Sequence, residues 1–477
     1  MHRRTKPSAR PVRATYGGNV TALQANSSIR RCCEISVTHC NINIEAHHRG
    51  STGSACARQH ASAKLSERFV SCGAEMLRLF ARNLGFVFFA FAASAYVNVV
   101  PQIVFARSAP DAKSLWLSAT LLVGTFASMA AVEVARRVGY GARPWLTGNL
   151  ITLVILSILF VAGGVTQPLV FAALCITLRA LCQYASQESD RRAAVLAGST
   201  ERGRNDAISL VLRFAGMLGG PLFMGLHSEL DALSSAVFLV LAGLALISTA
   251  AVAQAPQSAV KSKGNRASDP ELRLRPSDRR IIWAARLIFA CYAMLTACVL
   301  YALRDLHGLT AAARHGSTLI TAAFAAAMLA TPFLAVLYGR GNGQYSLLGM
   351  LPAPIAIAAA GLLLPLPSAG RIGPGLVGAA VLGIAFAAFQ LSFRDYASKQ
   401  ALESGRKELL AIFNNLANTS ALVAFGAMLL LSLSARALAL NSARTVLVGV
   451  TALGLAASLA TALAQHAQAH ARHVSMN

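Results

Sequence analysis

AQAPQSAVKSKGNRASDPELRLRPSDRR, residues 253–280, is the stretch that organises this chain. It carries Lys261, Lys263, Arg266, Arg273, Arg275, Arg279 and Arg280 together with Pro256 and Pro270. Directly after it comes IIWAARLIFACYAMLTACVLYAL (281–303), and residues 233–252 directly before it are also apolar. A charged, proline-broken segment between two such runs reads as a solvated linker, and its flanks decide the fold. Outward from it lie six apolar runs on each side. Before it they are 84–106, 114–135, 145–163, 167–185, 207–226 and 233–252; after it, 281–303, 317–337, 346–364, 373–393, 409–433 and 445–462. Most are close to the ~20 helical residues that a hydrocarbon core of ~30 Å requires at ~1.5 Å rise per residue. The pattern predicts an all-α membrane protein with twelve transmembrane helices in two six-helix bundles. The expected divisions are a basic tail (1–82), an N-terminal bundle (83–252), the linker (253–280), a C-terminal bundle (281–463) and a short tail (464–477).

Composition agrees. Of 477 residues, 55% are hydrophobic and only 13% charged, and the mean hydropathy is +0.54, too apolar for an ordinary soluble enzyme of this size. A transmembrane barrel would show short alternating strands, whereas these runs are continuous. The net charge of +24 would suit nucleic acid, but Lys and Arg collect in alternate loops, which points to membrane orientation instead. The basic side holds the linker, so both termini are expected in the cytoplasm, with the chain in the cytoplasmic (inner) membrane. Trp116, Trp145 and Trp283 fall at the starts of runs, where an indole rests at headgroup level.

Five cysteines lie in the tail, and Cys175, Cys182, Cys291 and Cys298 lie inside apolar runs, where they read as small buried hydrophobes. No cofactor, metal site, nucleotide loop or nucleophile motif is expected, and so no enzyme. The tail, rich in Ser, His and Arg, reads as disordered. Met76 precedes a short basic lead, Leu77-Arg78-Leu79-Phe80-Ala81-Arg82, and the expected true start lies there.

Three segments, in order, resemble the major facilitator superfamily. After the second run comes Val132-Glu133-Val134-Ala135-Arg136-Arg137-Val138-Gly139-Tyr140-Gly141, similar to that family's Gly-x-Leu-Ala-Asp-Arg-x-Gly loop. Val132 and Arg136 replace its glycine and aspartate, so the latch that the family's aspartate makes between bundles does not carry over. In the fourth run, Leu178-Arg179-Ala180-Leu181-Cys182-Gln183 resembles the family's intramembrane arginine motif, with Tyr184 at the usual glycine. In the fifth, Gly216-Met217-Leu218-Gly219-Gly220-Pro221-Leu222-Phe223-Met224-Gly225 resembles the exporter-associated helix motif, with Met224 at one glycine position. Gly216 and Gly220 share a helix face, and Pro221 favours a bend. Leu402-Glu403-Ser404-Gly405-Arg406-Lys407 is more distantly similar to the lysophospholipid-transporter branch. The resemblance implies a monomeric transporter whose first, fourth, seventh and tenth helices line a central cavity.

Polar residues within runs are expensive in lipid and mark that cavity. They are Tyr96, Asn98 and Gln102; Arg179, Gln183 and Tyr184; Arg286 and Tyr292; Gln390, Ser392 and Arg394; and Asn414 with Asn418. No Asp, Glu or His lies mid-run, and Glu133, Glu188, Asp206 and Glu408 sit near the cytoplasmic ends, leaving proton coupling open. Among the deeper arginines, Arg213 can pair with Asp206 or Glu188 and Arg286 can snorkel, which leaves Arg179 as the anion-binding candidate. The expected function is alternating-access transport of a small amphiphilic anionic or zwitterionic solute, with export favoured. A lysophospholipid flippase and a non-transporting, partner-binding membrane protein stay open as alternatives.

Overall fold

The computed structural model describes residues 113–138, 202–226, 276–307, 312–340, 349–366, 372–403 and 408–476, with Val87 and Ala90. All of them belong to the second of two units into which the chain divides at Glu75 and Met76. The expected tail and the third, fourth and sixth runs lie outside the described residues, as does the first apart from helical Val87 and Ala90.

The described elements are α1 (Lys113–Val138), α2 (Arg202–Leu226), α3 (Pro276–His307), α4 (Ala312–Arg340), α5 (Pro352–Leu363), α6 (Ile372–Glu403), α7 (Glu408–Ala437) and α8 (Ser442–Met476). They coincide with the second, fifth and seventh to twelfth apolar runs. Stretches long and apolar enough to cross a membrane are Arg279–Val299, His315–Leu337, Ile372–Ala397, Leu416–Ala437 and Ser442–Ala467, while α1, α2 and α5 hold shorter ones.

Boundaries differ from the sequence reading where polar residues continue a helix or proline begins one. The helix α3 starts at Pro276, so 276–280 are helical and not linker. Proline suits a first helical position because its missing N–H has no partner there anyway. The same rule starts α5 at Pro352, six residues later than expected. The helix α8 runs on to Met476, well past the apolar run and through the expected tail.

Within the second half, α3 packs on α8, α7, α5 and α4, α6 packs on α4, α5 and α7, and α8 packs on α5 and α7. Across the linker, α1 packs on α7, and α2 packs on α4 and α6. In run order the principal cross-linker pairs are two with eleven and five with eight. Among the described helices, advancing each number by six exchanges one pair for the other.

The outward faces are apolar. Val448, Leu455, Leu459 and Leu463 on α8, and Leu329, Phe333 and Leu337 on α4, are exposed at helical spacing. Such stripes would be unfavourable in water and suit lipid. Several buried hydroxyls are satisfied within their own helices: Thr331 Oγ1 donates to Ala327 O at 2.7 Å, Ser420 Oγ to Leu416 O at 2.7 Å and Thr461 Oγ1 to Ala457 O at 2.7 Å, whereas the buried Ser392 and Ser432 hydroxyls have no partner. No backbone or side-chain donor then meets hydrocarbon at positions 331, 420 and 461. Gly383 brings α6 against α4 so closely that a Cβ there would run into the Ala323 carbonyl.

Candidate solute site and the seam between halves

The sequence places rings at positions 386, 389 and 393 of α6, a three-four spacing that puts them on one helix face. Facing them are Phe289 and Tyr292 of α3. Tyr292 lies parallel on Phe386, with ring centroids 3.6 Å apart and planes 3° from parallel. Phe289 stands edge-on to Phe389 at 4.9 Å and to Phe393 at 5.9 Å. The cluster crosses the linker: Phe214 of α2 meets Phe386 at 6.5 Å and 66°, and Phe324 of α4 at 6.4 Å. Phe214 and Phe389 are almost fully buried. Edge-on aromatic pairs of this kind contribute ~0.5–1.5 kcal/mol beyond area burial.

Polar groups adjoin the rings along the same two helices. Gln390, half-buried, is one turn beyond Phe386 on α6. One turn further, Arg394 donates from its guanidinium to Ser209 Oγ of α2 at 3.0 Å. Ser209 is 2% exposed, and half-buried Arg213 follows it by one turn on α2. The Arg394–Ser209 hydrogen bond and the Phe214–Phe386 contact therefore both join α2 to α6.

The remaining sequence candidates fall as follows. Asn418 is buried on α7, and Asn414 is helical there with its side chain outside the described residues. Gly216 and Pro221 are buried on α2, and Gly220 and Gly225 are helical. The helix continues through Pro221 to Leu226. Glu133, Arg136 and Arg137 belong to the last turns of α1, so the loop expected there begins as helix, and Gly139 lies outside the described residues. So do Tyr96, Asn98, Gln102, Arg179, Gln183 and Tyr184. Cys291 and Cys298 are buried free thiols. Among the described residues no group of three or more His, Cys, Asp or Glu could hold a metal ion.

Sequence reasoning missed Phe214, Phe324, Phe386, Phe389 and Ser209 as site residues. The ring spacing on α6 was the available signal, but it is the same spacing that a helix uses for its lipid or core face.

No family profile matches the sequence, and no curated protein matches it. Solved structures do. A variant of the nucleoside transporter NupG superposes with a TM-score of 0.59 at 15% identity, over 81% of this chain and 99% of that one. The human organic anion transporter MFSD10 (TETRAN) superposes with a TM-score of 0.58 at 14% identity, over 80% of this chain and 99% of that one. The fold is that of the major facilitator transporters. Because the match spans nearly the whole of those chains, the fold is an all-helical, major-facilitator-like membrane fold. Identities this low carry the fold alone.

Proposed function

We propose that the chain is a secondary active transporter that exports a small amphiphilic anionic or zwitterionic organic solute across the cytoplasmic membrane. The observation that carries this reading is the seam itself: aromatic rings, an amide and guanidinium groups gather where the two halves of a transport fold meet. Rings and Tyr292 suit the apolar part of such a solute, and Arg179 in the fourth apolar run suits its anionic group. The description of MFSD10 as an organic anion transporter is in keeping with that solute class.

The contacts also suit alternating access, in which the two bundles rock about a central site. Separating α2 from α6 breaks the Arg394–Ser209 hydrogen bond and the Phe214–Phe386 contact. Together these amount to a few kcal/mol, on the order of 1.5–3 for the charged hydrogen bond and ~0.5–1.5 for the ring pair. A solute that binds one arrangement better than the other by a comparable amount shifts the equilibrium. Positive loops place both termini and the linker in the cytoplasm. On that topology the seam lies in the cytoplasmic half and closes the inner side, and Glu133 or Glu188 are the carboxylates available for proton coupling.

The test is export in cells carrying wild type, Arg179→Ala or Arg179→Lys at matched membrane levels. At least tenfold slower efflux of the exported compound is expected for Arg179→Ala, with Arg179→Lys partly active. Unchanged efflux in both variants would remove the anion site.

A further inference from the structure

On α3, Arg279, Trp283 and Arg286 stand at positions i, i+4 and i+7, within ~60° of one another at ~100° per residue. Arg279 is exposed, Trp283 is 59% exposed, and the Arg286 guanidinium lies 5.1 Å from the indole centroid. Tyr292 is nine residues beyond Trp283, which puts it on the opposite face of the helix, so this stripe is separate from the ring cluster. Arg286 lies inside Arg279–Val299, a stretch long and apolar enough to cross a membrane. Its Nε is buried and has no hydrogen-bond partner, and among the described residues no carboxylate pairs with it. Contact with an aromatic face stabilises the cation but leaves its N–H fork unsatisfied.

We infer that this stripe is a binding site for the phosphate headgroup of an anionic phospholipid in the cytoplasmic leaflet. The inference rests on the cytoplasmic placement of the linker proposed above. An arginine within a span is expensive unless its charge reaches an interface or a counter-charge, and a lipid phosphate supplies both. The guanidinium fork matches phosphate oxygens two at a time, here through its terminal N–H groups, since Nε is buried. Trp283, exposed beside it, has the side chain that settles at headgroup depth with its N–H toward the polar layer. The preceding sequence, with Lys261, Lys263, Arg266, Arg273 and Arg275, adds attraction for a negatively charged leaflet. The occupant is a lipid and not a soluble anion because the stripe combines an exposed indole with a membrane-depth arginine on the face turned away from Tyr292.

The experiment is native mass spectrometry of the delipidated full chain, titrated with phosphatidylglycerol or phosphatidylcholine. Wild type is expected to retain phosphatidylglycerol at least tenfold more strongly than phosphatidylcholine. Arg286→Gln should lose most of that preference, and Trp283→Ala should lose it several-fold. Arg286→Lys, which keeps charge and fold but not the fork, should fall between, and Arg436→Gln, an exposed arginine at the end of α7, should match wild type. Millimolar inorganic phosphate should not displace the lipid. Equal retention of the two lipids, full retention by Arg286→Gln, or displacement by inorganic phosphate would each overturn the assignment. A protease site inserted at 257–262 and assayed in sealed vesicles reports the linker's side independently, so an error in topology is distinguishable from absence of a lipid site.

Discussion

Ala439 has φ 51°, in the left-handed region where a Cβ crowds the backbone. It ends α7: Leu440 N–H donates to Ala435 O at 2.8 Å and Ala439 N–H to Arg436 O at 3.2 Å, the paired bonds of a helix stop that ordinarily uses glycine. Two residues later Asn441 Oδ1 accepts from Arg444 N–H at 3.0 Å and begins α8. Ala439→Gly should therefore stabilise the protein by about 1 kcal/mol, read as a higher unfolding midpoint in detergent. An unchanged or lower midpoint would mean that the turn tolerates alanine without strain. Gly383→Ala should act in the opposite sense, since its Cβ meets the Ala323 carbonyl and α4 must shift; a loss of ~1–3 kcal/mol is expected in the same assay. Neither position stood out in the sequence, because one is an alanine where glycine is usual and the other is one glycine among 36. Tyr292 and Gln390 did stand out, being polar within apolar runs. The phenylalanines around them did not, because Phe serves core, lipid face and ligand wall with the same side chain.

The helices α2 and α6 meet at few points, and under the proposed transport cycle those points act as a gate. Arg394→Ala removes the guanidinium that holds Ser209 and should shift the balance toward an inward-open arrangement by roughly tenfold or more, the equivalent of ~1.5–3 kcal/mol. The measurement is the rate at which an impermeant maleimide labels Gln390→Cys, in a cysteine-free background, from the cytoplasmic face of inverted vesicles. Several-fold faster labelling with Arg394→Ala is expected, and an identical rate would show that the contact does not hold the seam closed. At this scale the sequence was most legible: all eight described helices overlap expected runs. Hydropathy detects the part of a helix that lies in lipid, so it missed the polar extension of α8 to Met476 and the first turn of α3. It also overran α5, whose start is set by Pro352 and not by loss of apolar character.

At the scale of the whole molecule, among the described helices the pairs two with eleven and five with eight join elements on either side of the linker. If the positive loops fix orientation, a reporter active only outside the cytoplasm should be inactive when inserted in the linker and active when inserted at 308–311; the reverse pattern would invert the topology. The substrate was not legible at any scale, because solute chemistry depends on a few side chains and not on the fold. The most direct test of the central claim is untargeted metabolite and lipid profiling of cells and medium, comparing a deletion strain with the same strain complemented by this gene. An amphiphilic anionic or zwitterionic compound is expected to accumulate inside the deletion strain and fall in its medium, with both changes reversed on complementation. No reproducible difference, with the complementing protein confirmed in the membrane, would contradict export and favour a non-transporting role for a transporter fold.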